Sequence, residues 1–235
     1  MGSKPAGGNR SQVGLSAESR LPARERILDA AEALFAQGGY GGTSMRAVAL
    51  AAQVDSFRTH YYFGSKEELF RQVLTRRQNE YQQALSDSLD AVLASAGDER
   101  APALEALVEA WLRPALDLIL GSSQKWIHYF KLQYRIATNA EKQFADLLAD
   151  RYRPIYRRFI DAFQAALPAA KPESVQWAFY FIELAPMFVL NEDYQSADFP
   201  TWKLRITGVD AALQKMIPFY AAGFYALASR DYPLR

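Results

Sequence analysis

The chain has 235 residues, half of them apolar, with no cysteine and only two histidines, His60 and His128. This composition supports a sizeable core and excludes thiol chemistry, disulfide frameworks and cysteine-rich zinc sites. The net charge of +1 is unevenly distributed: residues 1–80 contain 11 Lys and Arg against 8 Asp and Glu, whereas residues 81–235 contain 16 against 18. Excess positive charge therefore lies in the N-terminal third, which suits contact with a polyanion.

The first 21 residues are polar and glycine-rich, and their low apolar content predicts a disordered tail. Within it, Lys4, Arg10 and Arg20 would suit a basic arm that follows a DNA minor groove. A solvated tail without a partner is the simpler interpretation, because disorder concentrates at chain termini.

No stretch of the sequence predicts a membrane anchor. Residues 1–21 lack the apolar centre of a signal peptide. The most apolar run, Trp177 to Leu190, is interrupted by Glu183 and Pro186 and is too short to cross a bilayer. With no cysteine in the chain, we expect a cytoplasmic protein without a membrane partner.

The first predicted helix starts at about Pro22, a residue suited to the first helical position. Gly38-Gly39 predicts its end. Between them, an apolar stripe repeats at helical spacing through Ile27, Leu28, Ala31, Leu34 and Phe35. We expect this helix to support the helices that follow.

Residues 43–69, TSMRAVALAAQVDSFRTHYYFGSKEEL, predict two short helices joined by a tight turn at Gln53-Val54, followed by the start of a third helix. Residues suited to begin or end a helix stand at each boundary, namely Ser44, Asp55, Gly64 and Ser65. Two helices across a turn indicate a helix-turn-helix, whose second helix would enter the DNA major groove.

The second helix of this motif has one inward and one outward face. Thr59 and Phe63 are four residues apart and share the inward face. The outward face contains Ser56, Phe57, Arg58, His60 and Tyr61. Arg58 is suited to a bidentate contact with guanine, and Phe57 to a thymine methyl group. Packing of Phe57 against the first helix is the alternative.

The run HYYFGSKEEL, preceded by TSMRAVALAA and RILDAAEALFAQGGYGGTS, resembles the N-terminal domain of the TetR family of transcriptional regulators. The resemblance covers about residues 22–75. It implies a DNA-binding domain in which Ser44, Arg46, Tyr61 and Lys66 contact phosphates.

Four positions depart from the family pattern. Gln53 replaces a usual glycine, so the turn must accept a side chain, and Ala47 replaces a common acidic residue. Phe57 occupies a position where a small residue is usual. Thr59 replaces an apolar residue, although its hydroxyl is able to bond the carbonyl four residues earlier.

The rest of the chain predicts helices only, without the alternating pattern of strands. The fourth helix is expected to run unbroken from Ser65 to about Ala94, linking the two domains. Pro114, Pro186 and Pro218 fall inside helical patterns and are expected to kink or break them. Further helices are predicted near 101–120, 124–138, 141–166, 172–191 and 207–229.

Residues 76–235 resemble a TetR-family ligand-binding and dimerisation domain. The run AALQKMIPFYAAGFYAL resembles the last helix of the branch that includes fatty-acid-responsive repressors, which implies a small apolar effector of acyl type. We expect the helices at 172–191 and 207–229 to form a four-helix bundle between two copies, with Phe224 in the seam.

Aromatic residues are dense between Trp126 and Trp177 and predict either plain core or the wall of an apolar cavity. Arg135 is suited to bind an effector carboxylate, although an ordinary ion pair is the alternative. Glu183 lies in an apolar run and should have a buried partner. The candidate ligand-binding residues are Tyr129, Tyr134, Arg135 and Trp177.

No catalytic set, cofactor motif or metal-ligand spacing is found. The sequence therefore predicts an all-α protein with a disordered tail (1–21), a helix-turn-helix domain (22–75) and a ligand-binding and dimerisation domain (76–235). The predicted function is a homodimeric repressor that an apolar ligand releases from a palindromic operator. A regulator of the same fold without a ligand switch is one alternative, and an all-α enzyme or carrier is another.

Overall fold

The computed structural model describes residues 22–97, 101–121, 124–138, 144–190 and 206–229. Every regular element among these residues is a helix, which confirms the all-α prediction. The tail predicted for residues 1–21 lies outside the described residues. In chain order the helices are α1 (Ala23–Gly42), α2 (Met45–Ala51), α3 (Ser56–Phe63), α4 (Lys66–Thr75), α5 (Gln78–Ala96), α6 (Leu104–Gly121), α7 (Gln124–Ala137), α8 (Ala145–Ala166), α9 (Pro172–Glu183), a 3-10 helix (Ala185–Leu190) and α10 (Val209–Ala228).

The N-terminal head is built from α1 to α4 around one apolar cluster. Helix α1 packs against α2, α3 and α4. Gly39 (φ 68°, ψ −178°) interrupts the helical geometry of α1, where the Gly38-Gly39 pair predicts its end. Pro22 is the N-cap residue of α1, so the helix begins at Ala23, one residue later than predicted. Buried side chains of this cluster include Ile27, Phe35, Val48, Phe63 and Phe70.

The turn between α2 and α3 passes through Gln53 in the left-handed backbone region. Its φ is 52°, and no other non-glycine residue in the described part of the chain has a positive φ. A side chain in this conformation costs roughly 1–2 kcal/mol. The turn is held from α1, because Nε of Arg26 donates to the carbonyl of Ala52 at 3.1 Å.

The unbroken helix predicted from Ser65 to about Ala94 is wrong. The chain bends at Arg76 and Arg77, where α4 ends and α5 begins, and the backbone of Arg77 (φ −104°, ψ −2°) departs from helical values. The bend allows both guanidinium groups to reach carboxylates of α1. Arg76 Nη2 lies 2.7 Å from Glu25, and Arg77 Nε lies 2.8 Å from Glu32. These long-range ion pairs explain why local helix signals missed the bend.

The C-terminal domain, α5 to α10, packs around a second set of aromatic side chains. Trp111 of α6 is buried at its centre. The rings of Tyr156, Phe159 and Phe179 lie 5.5, 5.0 and 4.8 Å from it. Edge-to-face contacts of this kind stabilise the core beyond the area that they bury.

The other predicted helices are found, with one exception. Helices α6, α7, α8 and α10 match the predictions at 101–120, 124–138, 141–166 and 207–229, and α6 and α10 continue through Pro114 and Pro218. The helix predicted at 172–191 instead ends at Glu183 and continues as the short 3-10 helix that contains Pro186. This is the break that a proline, without an N–H to donate, is expected to cause.

Phe224 does not lie on an exposed seam, and that expectation is wrong. It is 2% exposed, and its ring stacks on Phe163 of α8 at 4.3 Å. Its side chain therefore belongs to the core of the single subunit. The exposed aromatic residues of α9 and α10 are Trp177, Tyr180, Phe181, Phe219 and Tyr225.

Candidate nucleic-acid interface and effector cavity

Helix α3 is anchored on its inner side and at both ends. The carboxylate of Asp55 accepts a hydrogen bond from the amide of Phe57 at 2.8 Å, and Gly64 (φ 69°) ends the helix. Thr59 is fully buried, and its hydroxyl donates to the carbonyl of Ser56 at 2.7 Å, three residues earlier rather than four. With Phe63 buried beside it, the orientation of the helix is fixed by the head.

The outer face of α3 remains uncovered by the described residues. Ser56, Phe57, Arg58, His60 and Tyr61 are all exposed. Phe57 and Tyr61 are both 74% exposed, and their rings stack at 6.5 Å. The alternative in which Phe57 packs against the first helix is therefore wrong. Two large aromatic rings held in water at one face indicate a binding surface.

The residues expected to contact phosphates lie at the starts of α2 and α4 and on α3. Arg46 and Tyr61 are exposed. The hydroxyl of Ser44 caps α2 by accepting from the amide of Ala47 at 3.1 Å. Lys66, at the start of α4, places its ammonium 4.3 Å from the centre of the Tyr40 ring. This contact orients the lysine while leaving its charge partly exposed.

A cavity of about 730 Å³ lies in the C-terminal domain among α5 to α9 and the 3-10 helix. Its volume is within the usual range of roughly 300–1,000 Å³ for small-molecule sites. Apolar and aromatic side chains form most of the wall, including Tyr81, Trp111, Phe130, Ile136, Leu148 and Met187. Arg153, Arg157, Asp161 and Gln176 also line it and are exposed, so they mark its solvent side.

Several polar groups lie in or beside this cavity. The hydroxyl of Tyr156 donates to Glu183 Oε1 at 2.6 Å, which supplies the buried partner expected for Glu183. Burial raises the pKa of Glu183, and the Tyr156 hydrogen bond opposes this rise. The side-chain N–H groups of Trp111 and Gln133 are buried and find no hydrogen-bond partner among the described residues. Both residues line the cavity, so an acceptor on a ligand would satisfy them.

The four residues predicted to bind a ligand do not line the cavity. Tyr129 is buried behind its wall, and its hydroxyl bonds that of Tyr152 at 2.7 Å. Tyr134 and Trp177 are 43% and 51% exposed, and Arg135 is half-buried on the same helix as Tyr134. The sequence analysis did not assign Glu183 and its partner Tyr156 to a ligand site, although both line the cavity. The position of Glu183 in an apolar run was the signal that pointed to it.

Ion pairs connect the head to the C-terminal domain. Helix α1 packs extensively against α7. Asp29 of α1 accepts a hydrogen bond from Arg76 at 2.6 Å and forms an ion pair with Lys125 of α7 at 3.3 Å. The guanidinium of Arg77 lies 5.6 Å from the ring of Trp126 in α7. These contacts connect α7 to α1 and to the bend before α5.

Among the residues that the structure describes, no group of three or more His, Asp or Glu side chains is arranged to hold a metal ion. Within the same part of the chain, no helix is both long enough and apolar enough to cross a membrane.

A head with an exposed helix-turn-helix, joined to a helical domain with a cavity, places the chain in the class of helix-turn-helix proteins. Two family models match the chain: "Bacterial regulatory proteins, tetR family" at residues 27–73 and "Tetracyclin repressor-like, C-terminal domain" at residues 109–223. Together they cover well over half of it. The chain belongs to the TetR family of transcriptional regulators.

Solved structures share this fold at low sequence identity. A TetR-like transcriptional regulator from Rhodococcus sp. RHA1 is 22% identical with a TM-score of 0.58, over 88% of this chain and 97% of that one. AmtR of Mycobacterium smegmatis is 20% identical (TM-score 0.54, 89% and 88% covered), and GusR of Salmonella enterica is 19% identical (0.53, 89% and 96%). No curated protein matches the chain.

Proposed function

We propose that this regulator is a homodimeric repressor that binds a palindromic operator and leaves it when a small apolar molecule enters the cavity. The uncovered outer face of α3 is the observation that carries the DNA-binding part. On this face, the side chains that we assign to the bases, Ser56, Phe57, Arg58 and His60, are exposed to solvent. A regulator of this kind works in the cytoplasm, where it meets the chromosome.

In this proposal the head divides its contacts by chemistry. Ser44, Arg46, Tyr61 and Lys66 hold phosphates, which fixes the position of α3 without reading sequence. Arg58 supplies paired donors for a guanine, and Phe57 an apolar surface for a thymine methyl. The stacking of Phe57 on Tyr61 joins the base-reading and phosphate-binding sets on one face of the helix.

The proposed dimer uses α9 and α10. Trp177, Tyr180 and Phe181 form a cluster on α9 with ring centres 5.9–6.1 Å apart, and each is more than half exposed. Phe219 of α10 is 72% exposed. Exposed aromatic residues grouped in this way suit an interface, and in this proposal a second copy covers them. Two heads related by a two-fold axis would then read half-sites about one helical turn apart, or a multiple of it.

The proposed switch rests on the contacts between cavity and head. Tyr81 and Phe130 line the cavity, and their rings lie 5.0 Å apart. Tyr81 of α5 is one turn after Arg77, the N-cap residue of that helix, and Phe130 is one turn after Trp126 on α7. A ligand that separates α5 from α7 would therefore shift the bend and change the spacing of the two recognition helices. To weaken operator binding, it must bind the DNA-incompetent spacing more tightly.

Selection of DNA fragments from a random pool by the full-length protein tests the first part. We expect enrichment of one pseudo-palindrome, whereas capture without sequence preference would contradict a specific regulator. Operator affinity is then measured with and without candidate ligands. If the operator is bound but no ligand changes the affinity, the alternative regulator without a ligand switch is correct.

A further inference from the structure

The cavity contains a carboxylate that forms no ion pair among the described residues, although Arg153 and Arg157 line the solvent side of the same cavity. Glu183 lines the cavity, and its hydrogen bond from Tyr156 is neutral. Burial raises its pKa, and no cationic group among the described residues opposes that effect. A partly buried carboxylate without a paired cation is stabilised when it binds a proton or a positively charged partner.

Electron-rich rings continue from Glu183 along the cavity wall. The ring centres of Trp111 and Tyr152 each lie 5.5 Å from that of Tyr156, and the ring centre of Tyr81 lies 6.3 Å from that of Tyr152. All four rings line the cavity. Burial raises the pKa of the three tyrosines, so they remain neutral phenols. The faces of such rings attract cations, most strongly where water is excluded.

We propose that the cavity binds an organic cation, with its charged centre beside Glu183 and the ring wall and its apolar body along Ile136, Leu148 and Met187. This rests on the proposed function, because the cavity is taken as the effector site. It replaces the acyl-type effector expected from sequence, since a ligand carboxylate at this depth would meet the like charge of Glu183. The unpaired N–H groups of Trp111 and Gln133 leave room for one acceptor on the same ligand.

Three aryl probes test the effect of charge. Tetraphenylphosphonium (positive) and tetraphenylborate (negative) have the same four-ring shape, and triphenylphosphine oxide is a smaller neutral reference with three rings. Binding to the full-length protein is measured by calorimetry. We expect the phosphonium to bind about tenfold more tightly than the oxide, and the borate most weakly. Glu183→Gln keeps the size of the side chain and an acceptor for Tyr156 but removes the charge. It should reduce phosphonium affinity about tenfold and leave the oxide unchanged.

Glu173→Gln is the matched control, because Glu173 lies on the same helix, is exposed and is absent from the cavity wall. It should change the affinity of no probe. Equal effects of the two variants, or tighter binding of the borate than of the phosphonium, would overturn the proposal. If the oxide or the borate binds and the phosphonium does not, the cation proposal is wrong, and the cavity is a site for neutral or negatively charged ligands. If none binds, the effector cavity itself is rejected, while operator binding, measured separately, is unaffected by that result.

Discussion

Arg77 forms a two-pronged ion pair with Glu32, with Nε 2.8 Å from Oε1 and Nη2 3.0 Å from Oε2. The Glu32 side chain is 1% exposed, and its burial raises its pKa while Arg77 and Arg76 oppose the rise. The ion pair connects the bend between α4 and α5 to α1. Because Arg77 also faces Trp126 of α7, one side chain connects the head, the bend and the C-terminal domain.

Removing this arginine should destabilise the fold strongly. Arg77→Met leaves Glu32 buried without its bidentate partner, and the second arginine, Arg76, remains 3.6 Å away. We expect the free energy of unfolding, measured by urea denaturation, to fall by about 3 kcal/mol. Arg71→Met is the control, because its ion pair with Glu67 is exposed and should contribute less than about 1 kcal/mol. Equal losses in the two variants would show that burial of Glu32 carries no penalty.

The strained turn at Gln53 predicts a stabilising substitution. The side chain is exposed and its φ is 52°, so Gln53→Gly should remove the strain without losing a packing contact. We expect a gain of about 0.5–1 kcal/mol in unfolding free energy, since the greater freedom of glycine in the unfolded chain offsets part of the relief. Gln53→Val should instead destabilise, because a β-branched residue is poorly tolerated at positive φ. Thermal denaturation of both variants checks this, and a less stable glycine variant would contradict it.

The proposed dimer surface is tested by two phenylalanines in different environments. Phe181 is 56% exposed on α9, so Phe181→Glu should give a folded monomer that has lost operator binding. Phe224 is buried against Phe163, so Phe224→Ala should lower the unfolding free energy by about 3–5 kcal/mol through a core cavity. Sedimentation velocity and denaturation together separate these effects. A Phe181→Glu variant that remains dimeric at micromolar concentration would exclude this surface.

The sequence predicts best what is decided locally. Ser44, Asp55 and Ser65 each accept a hydrogen bond from an amide two or three residues later, as the caps of α2, α3 and α4. Residue type and spacing along a few positions are enough to define such caps. For the same reason Gly64 is found at the predicted end of α3.

Features that depend on distant parts of the chain were not predictable in this way. The bend at Arg76 and Arg77 depends on carboxylates of α1 about 50 positions earlier. Phe224 is buried because it packs on Phe163 of α8. Helices α9 and α10 each carry both buried and exposed aromatic residues, so the sequence did not show which of them face the core. The cavity wall likewise depends on how five helices pack, so the density of aromatic residues indicated a cavity but not which of them line it.

The division of DNA contacts predicts two different losses of affinity. Lys66 is assigned to a phosphate, so Lys66→Ala should weaken binding to every DNA sequence and reduce the salt slope by about one unit. Arg58 is assigned to a base, so Arg58→Ala should cost about 1–3 kcal/mol on the operator and relax preference at one base pair. Binding isotherms on operator and scrambled DNA, at several salt concentrations, distinguish the two.

The control for the loss of one positive charge is Lys171→Ala, at an exposed residue beside α9 and outside the head. It should leave both the affinity and the salt slope unchanged, because screening limits the reach of an exposed charge to roughly 10 Å at 0.1 M salt. Lys66→Ala also loses a contact with Tyr40, so its unfolding free energy is measured alongside and should change by no more than about 1 kcal/mol. If Lys66→Ala and Arg58→Ala weaken all sequences equally, then Arg58 binds a phosphate, and sequence preference must come from Phe57 and His60.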